Sequence, residues 1–152
     1  MKQEKYISKS VEETKNIGFN FAKMLNKGDV VAFYGNLGVG KTEFIRGICN
    51  LFNINDYVSS PTYTIINEYI GRIGKEEQLI YHLDLYRIKD KEELINIGYY
   101  DYVFQDSAIT LIEWAENSYD ELPKNHIKVK IDISNINLNE REITISHYFK
   151  NI

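Results

Sequence analysis

Gly35-Asn36-Leu37-Gly38-Val39-Gly40-Lys41-Thr42 is a complete G-x-x-x-x-G-K-T phosphate-binding loop, and its surroundings decide the fold class. Asp29-Val30-Val31-Ala32-Phe33-Tyr34 is an apolar run of strand type that ends at the first glycine. Glu43-Phe44-Ile45-Arg46-Gly47-Ile48-Cys49 then reads as the opening of a helix. Strand, glycine-rich loop and helix in that order is the context in which this loop works. The glycines let the backbone curl so that successive N–H groups point at phosphate oxygens. The helix adds the positive end of its dipole. Lys41 is placed to reach the β- and γ-phosphates, and the Thr42 hydroxyl to ligate Mg²⁺. A nucleoside triphosphate with Mg²⁺ is the expected ligand.

Upstream, Ser10-Val11-Glu12-Glu13 has the form of a capping box. The helix it opens carries Ile17, Phe21 and Leu25 at helical spacing, with Ala22 and Met24 near that face. Lys27-Gly28-Asp29 ends that helix. Asn26-Lys27-Gly28-Asp29 matches the guanine-reading N-K-x-D pattern, but it precedes the loop instead of following it and is read as a helix-ending turn. Downstream, Asn53 to Asp56 is a turn, Thr62 to Ile70 a strand, Gly71 to Glu77 a hairpin connection and Leu79 to Tyr86 the return strand. A short helix starts at Asp90. Ala108 to Trp114 is a buried strand, and Ile127 to Ile133 and Arg141 to His147 are two more, joined by a turn at Asn135 to Asn139. The fold class is therefore α/β: a single P-loop NTPase-like domain over residues 1–152, with a mixed, largely central β-sheet flanked by helices.

Such a loop needs an acid at the end of a nearby strand to hold the metal. Asp84 and Glu113 are the candidates. Strand alternation puts His82, Asp84 and Tyr86 on one face and Leu83 and Leu85 on the other. Glu113 ends the apolar run Ile109-Thr110-Leu111-Ile112, where a carboxylate is costly to bury without a partner. Ser59-Ser60-Pro61-Thr62-Tyr63-Thr64 occupies the place of a segment that senses the γ-phosphate in P-loop NTPases. His82 is read as a structural residue hydrogen-bonded within the sheet, and Trp114 as packing or contact surface.

Composition removes other classes. The formal net charge of −4 argues against a stand-alone nucleic-acid binder, which would show a basic face. No run approaches the roughly 20 apolar residues of a membrane span, and Met1-Lys2-Gln3-Glu4-Lys5 leads into no apolar signal region. A single cysteine, Cys49, forms no internal disulfide or cysteine metal cluster and is read as a small core residue in a reducing cytosol.

Four segments together resemble one family: the phosphate loop, Ser60-Pro61-Thr62-Tyr63-Thr64, His82-Leu83-Asp84-Leu85-Tyr86-Arg87 and Leu111-Ile112-Glu113-Trp114. In order and spacing they resemble the TsaE (YjeE) family of small bacterial ATPases of tRNA threonylcarbamoyladenosine synthesis, from about Ser10 to His147. The resemblance implies ATP binding through Leu37, Gly38, Val39, Gly40, Lys41 and Thr42. It implies Mg²⁺ at Thr42 and Glu113, a Walker B-like role for Asp84, and Ser10 and Arg141 near the base. Lys41, Asp84 and Glu113 are the implied catalytic set. It further implies a cytoplasmic protein acting with the TsaB and TsaD subunits, which transfer the threonylcarbamoyl group to adenosine 37 of tRNAs reading ANN codons. tRNA is then met only through that complex, with no membrane and no DNA expected. Asn36 stands where the family often has Asp, Glu43 where a small residue is common, and Gly71 to Gln78 looks long. The alternatives are a P-loop small-molecule kinase, which would need an arginine-rich lid that four scattered arginines do not supply, and a module that binds ATP without hydrolysing it.

Overall fold

The computed structural model describes residues 1–54 and 56–148; Asn55, in the middle of the expected Asn53 to Asp56 turn, lies outside them. The strands are β1 (Lys2–Ser8), β2 (Val30–Tyr34), β3 (Ile66–Ile73), β4 (Glu76–Asp84), β5 (Ala108–Glu113), β6 (Ile127–Ile133) and β7 (Arg141–His147). The helices are α1 (Val11–Ala22), α2 (Lys41–Leu51), α3 (Lys91–Asn96) and α4 (Tyr99–Val103), with a 3-10 turn at Ala115–Ser118. The strands form one seven-stranded sheet in the order β1-β7-β6-β2-β5-β4-β3. β6, β2, β5 and β4 run parallel at its centre, and β1, β7 and β3 add antiparallel edges. The sheet is mixed and flanked by helices, as the sequence predicts.

Central position follows from composition. β5 (Ala-Ile-Thr-Leu-Ile-Glu) is buried along its whole length and β2 along all but its last residue, which is how strands covered on both faces read. One face carries Val31, Phe33, Ile80, Ile109 and Leu111 against Phe21 of α1 and Phe44, Ile45 and Ile48 of α2. The other carries Val30, Ala32, Leu83 and Ile112 against Leu94, Tyr99 and Val103 of α3 and α4. Cys49 is buried, and burial pushes its thiol up to about 12, in keeping with a core residue. Met24, placed near the buried face by periodicity, is exposed, because α1 ends at Ala22 and the chain turns away.

Differences from the sequence reading cluster on the edges. β1 carries no apolar alternation (Lys-Gln-Glu-Lys-Tyr-Ile-Ser) and forms because β7 offers it a full antiparallel ladder. The strand expected from Thr62 starts at Ile66. The residues before it form a turn in which the Ile65 N–H donates to the Pro61 carbonyl. Gly71 to Gln78 is not a long connection: Gly71 pairs with Gln78, Arg72 with Glu77 and Ile73 with Glu76, which leaves a two-residue turn at Gly74-Lys75. Gly71 is a close-approach glycine, since a Cβ there would lie 2.6 Å from Phe52 Cβ.

α1 and α2 meet backbone to backbone. A Cβ on Gly18 would sit 2.3 Å from the Phe44 carbonyl oxygen, and one on Gly47 would sit 2.0 Å from the Lys15 carbonyl oxygen. Helix propensity alone favours Ala over Gly by about 1 kcal/mol, but forced separation of packed helices costs about 1–3 kcal/mol. Gly47→Ala is therefore expected to lower the urea unfolding free energy, measured by circular dichroism, in spite of its better propensity.

Candidate active site

β2, β4 and β5 are parallel, so their carboxyl ends open on the same side, where ligands of open α/β sheets bind. The phosphate loop leaves the end of β2. Register sets Phe33 beside Glu113 and Glu113 beside Asp84. Two acids separated by 28 residues in sequence thereby stand on neighbouring strands next to the loop. A cleft of about 300 Å³ collects Leu37, Gly38, Gly40, Lys41, Thr42, Glu43, Ser60, Thr62, Asp84, Tyr86, Glu113 and Trp114. A larger hollow of about 460 Å³ between α1 and the β1–β7 edge is mostly apolar and is lined by no residue of the phosphate loop.

The floor of the cleft is the start of α2. Ser10 caps α1 and Asp90 caps α3, each accepting a backbone N–H of the first turn. Gly40 caps α2 in the left-handed region, at φ 117°, with no side-chain bond. The first-turn N–H groups of α2 have no intrahelical partner and face a cleft lined by their own residues, a geometry that suits an anion.

Each side chain has a defined place. The Lys41 ammonium donates to the Gly35 carbonyl at 2.5 Å and lies 3.7 Å from the centre of the Trp114 ring. Burial pulls its pKa below the ordinary lysine value, and the charges of Glu113, Glu116 and Asp84 only partly offset this. Thr42 Oγ1 donates to Glu113 Oε1 at 3.0 Å, and His82 Nε2 to Glu113 Oε2 at 2.7 Å. Burial pushes the Glu113 carboxyl up, but the bonds from His82, Thr42 and Ser60 outweigh it and hold the group below the usual carboxylate range. Asp84 Oδ2 accepts from Ser60 Oγ at 2.5 Å and Thr62 Oγ1 at 3.0 Å, while its Oδ1 accepts the Tyr86 N–H at 2.8 Å. Ile65 and Trp114 flank the two acids at φ 70° and 56°. Backbone strain of this kind in non-glycine residues gathers at functional sites.

Three expected binding residues lie outside the cleft lining. Val39 is buried, and its carbonyl accepts Arg141 Nε at 3.0 Å. Arg141 Nη1 donates to the Leu138 and Glu140 carbonyls, so the guanidinium braces the loop from behind. Ser10 is the α1 cap. Glu43 lines the cleft but pairs with Arg46 and, at 4.0 Å, with Lys15. His82 is bonded within the sheet, as read, but its partner is the site's own acid, and no short sequence pattern announces a cross-strand bond. Trp114 as a face for Lys41 was equally out of reach, because it stands past the end of β5 at φ 56°, where strand alternation no longer says which way a side chain turns.

Among the described residues no group of three or more His, Cys, Asp and Glu is arranged to hold a metal. Mg²⁺ in a phosphate loop does not need one. A hydroxyl and a carboxylate suffice when phosphate oxygens and water fill the other positions, and Thr42 with Glu113 fits that demand.

Comparison with known proteins gives the family and the fold. The family model for threonylcarbamoyl adenosine biosynthesis protein TsaE matches residues 8–143. The chain belongs to the TsaE family. A TsaE of Bacillus subtilis (strain 168) is 36% identical over 146 residues, 96% of this chain and 87% of its own length. The TsaE of Haemophilus influenzae (strain ATCC 51907 / DSM 11121 / KW20 / Rd) is 40% identical over 140 residues, covering 89% and 85%. Both are named tRNA threonylcarbamoyladenosine biosynthesis proteins. The crystal structure of Bacillus subtilis YdiB aligns with a TM-score of 0.77 at 30% identity, over 97% of this chain and 87% of that one. The fold and the family expected from the four segments are both found.

The lowered Glu113 pKa has a sign. A carboxyl held below its ordinary value of 4.5 contributes stability that is fully present above that pH and is lost as pH falls through the folded value. The urea midpoint of the TsaE chain is expected to drop on acidification below about 4.5. Glu113→Gln is expected to start lower at pH 7 and lose less over the same range.

Proposed function

We propose that this chain is the Mg²⁺-dependent, ATP-hydrolysing subunit required for N6-threonylcarbamoyladenosine formation at position 37 of tRNAs reading ANN codons, acting in the cytoplasm with TsaB and TsaD. The observation that carries the reading is the convergence of an uncapped α2 N-terminus, Lys41, Thr42, Asp84 and Glu113 on one cleft. The names of the relatives supply the pathway. Among the described residues no helix is long and apolar enough to cross a membrane.

The chemistry asked of the protein is positioning and charge. Backbone N–H groups of the loop and the start of α2 cradle the phosphates. Lys41 leaves the Gly35 carbonyl to meet the terminal phosphates. Thr42 and Glu113 would hold Mg²⁺, which would neutralise charge on the phosphate oxygens. Asp84, already gripping the hydroxyls of Ser60 and Thr62, ties the segment before β3 to the mouth of the cleft and acts with Glu113 on water there.

None of the four arginines lines the cleft. Arg46 is spent on Glu43 and the Val58 carbonyl, Arg72 on Glu77, Arg87 lies over the Tyr63 ring, and Arg141 braces the loop. With no arginine finger of its own, the chain is expected to turn over slowly until partners bind, since such a finger is worth about 10³–10⁵ in rate.

The test is ATP turnover by the purified chain, alone and with a TsaB–TsaD pair. Strong stimulation is expected, with a loss of at least about 100-fold in Lys41→Ala and Glu113→Ala. Fast hydrolysis indifferent to partners would overturn the reading. ATP with Mg²⁺ at 100 times its Kd is also expected to stabilise the chain by about 2.7 kcal/mol, an effect absent in Lys41→Ala.

A further inference from the structure

Glu113 is held from behind as well as from the cleft. His82, with none of its surface exposed, donates from Nε2 to Glu113 Oε2 at 2.7 Å. Its other ring nitrogen, Nδ1, faces the Tyr69 hydroxyl at 3.5 Å, and the two rings lie 6.1 Å apart. Tyr69 Oη accepts from Asn67 Nδ2 at 3.3 Å, and Asn67 Oδ1 accepts from Thr64 Oγ1 at 3.2 Å.

With a neutral His82 ring the directions of these bonds follow from the carboxylate. A carboxylate only accepts, so His82 carries its proton on Nε2. Nδ1 of the neutral ring is then an acceptor, and Tyr69 is the donor. The amide of Asn67 gives its N–H to Tyr69 and takes the Thr64 hydroxyl on its oxygen. Every donor points toward Glu113, along a path from Thr64, two residues beyond Thr62, to the acid beside Thr42.

A buried histidine in a sheet core is costlier than a leucine unless both nitrogens are satisfied. Here they are, and one of them fixes which carboxylate oxygen remains for Thr42 and the cleft. We propose that His82 is a positioning residue that sets the orientation of Glu113, with the Tyr69 hydroxyl setting the tautomer of His82. This rests on the reading of the cleft as a Mg²⁺–ATP site. Outer-shell partners of metal ligands fix ligand orientation in this way.

The variants are His82→Leu, which fills the space without a donor, His82→Gln, whose side-chain amide can reproduce the Nε2 bond, and Tyr69→Phe, which removes one hydroxyl. Each is measured for ATP turnover with the TsaB–TsaD pair and for affinity toward a fluorescent ATP analogue without Mg²⁺; ¹⁵N NMR reads the His82 ring in the wild-type and Tyr69→Phe chains alone. His82→Leu is expected to lose about 10–100-fold in kcat, with the KM for ATP and the Mg²⁺-free affinity changed less than about two-fold, because Lys41 and the loop amides are untouched. His82→Gln is expected to recover most of that loss. The wild-type ring is expected as the Nε2–H tautomer, and Tyr69→Phe as a mixture with a loss of a few-fold in kcat.

An unchanged kcat in His82→Leu, equal losses in the Leu and Gln variants, or an Nδ1–H wild-type ring overturns the inference. If His82→Leu does not fold, Tyr69→Phe decides: wild-type rate and tautomer overturn it, a mixed tautomer with a reduced rate supports it. A wild-type chain inactive with its partners overturns the functional reading and this inference together. An active wild type with indifferent variants overturns this inference alone.

Discussion

A helix can leave the N–H groups of its first turn without a side-chain cap only if something else holds it in place, and the site depends on that constraint. α2 is held by its buried face, where Phe44, Ile45 and Ile48 pack onto the sheet. It is also held by contact with α1 close enough that Gly18 and Gly47 have no room for a Cβ. The cost of a glycine cap, about a few tenths of a kcal/mol, is small beside the burial of several large side chains at about 1.5–3 kcal/mol each. The molecule can therefore leave that helix end open to the cleft.

The second constraint is electrostatic. Lys41, Asp84 and Glu113 are all nearly buried, and no charge of this kind persists there unsatisfied. The acids are met by hydroxyls and a histidine, not by arginines, and the ammonium by a carbonyl and an indole face. These partners are weaker than a bidentate ion pair. They hold the groups in position without committing Lys41 to either acid. All four arginines stand outside it.

Much of this architecture is legible in the chain. The loop declares strand, turn and helix because only that context lets its glycines and lysine work together. The all-apolar runs of β2 and β5 declare central strands, and Asp84 and Glu113 stand out as acids at strand ends. The edges were harder. β1 lacks alternation and exists only because β7 is there to pair with it, and Gly71 and the segment from Thr62 read as breaker and strand where the folded chain makes strand and turn. Propensity is local, while an edge strand is decided by its neighbour. Local pattern was also silent on Arg141, which braces the back of the loop through the Val39 carbonyl, and on Trp114, whose ring lies against Lys41 from a residue at positive φ.

The family is carried by contiguous segments of sequence, and the expectation of a phosphate ligand comes with them. A phosphate loop is a contiguous arrangement whose backbone does the binding, and the segments that mark the TsaE family keep their order along the chain. What only the tertiary structure decided is the wiring between those segments: which acid meets Thr42, which meets Ser60 and Thr62, and that His82 stands behind Glu113. Those bonds join residues 22 to 71 positions apart. They exist because parallel pairing of β2, β5 and β4 sets Phe33, Glu113 and Asp84 in one row, and strand register is a property of the whole sheet that no single stretch of residues carries.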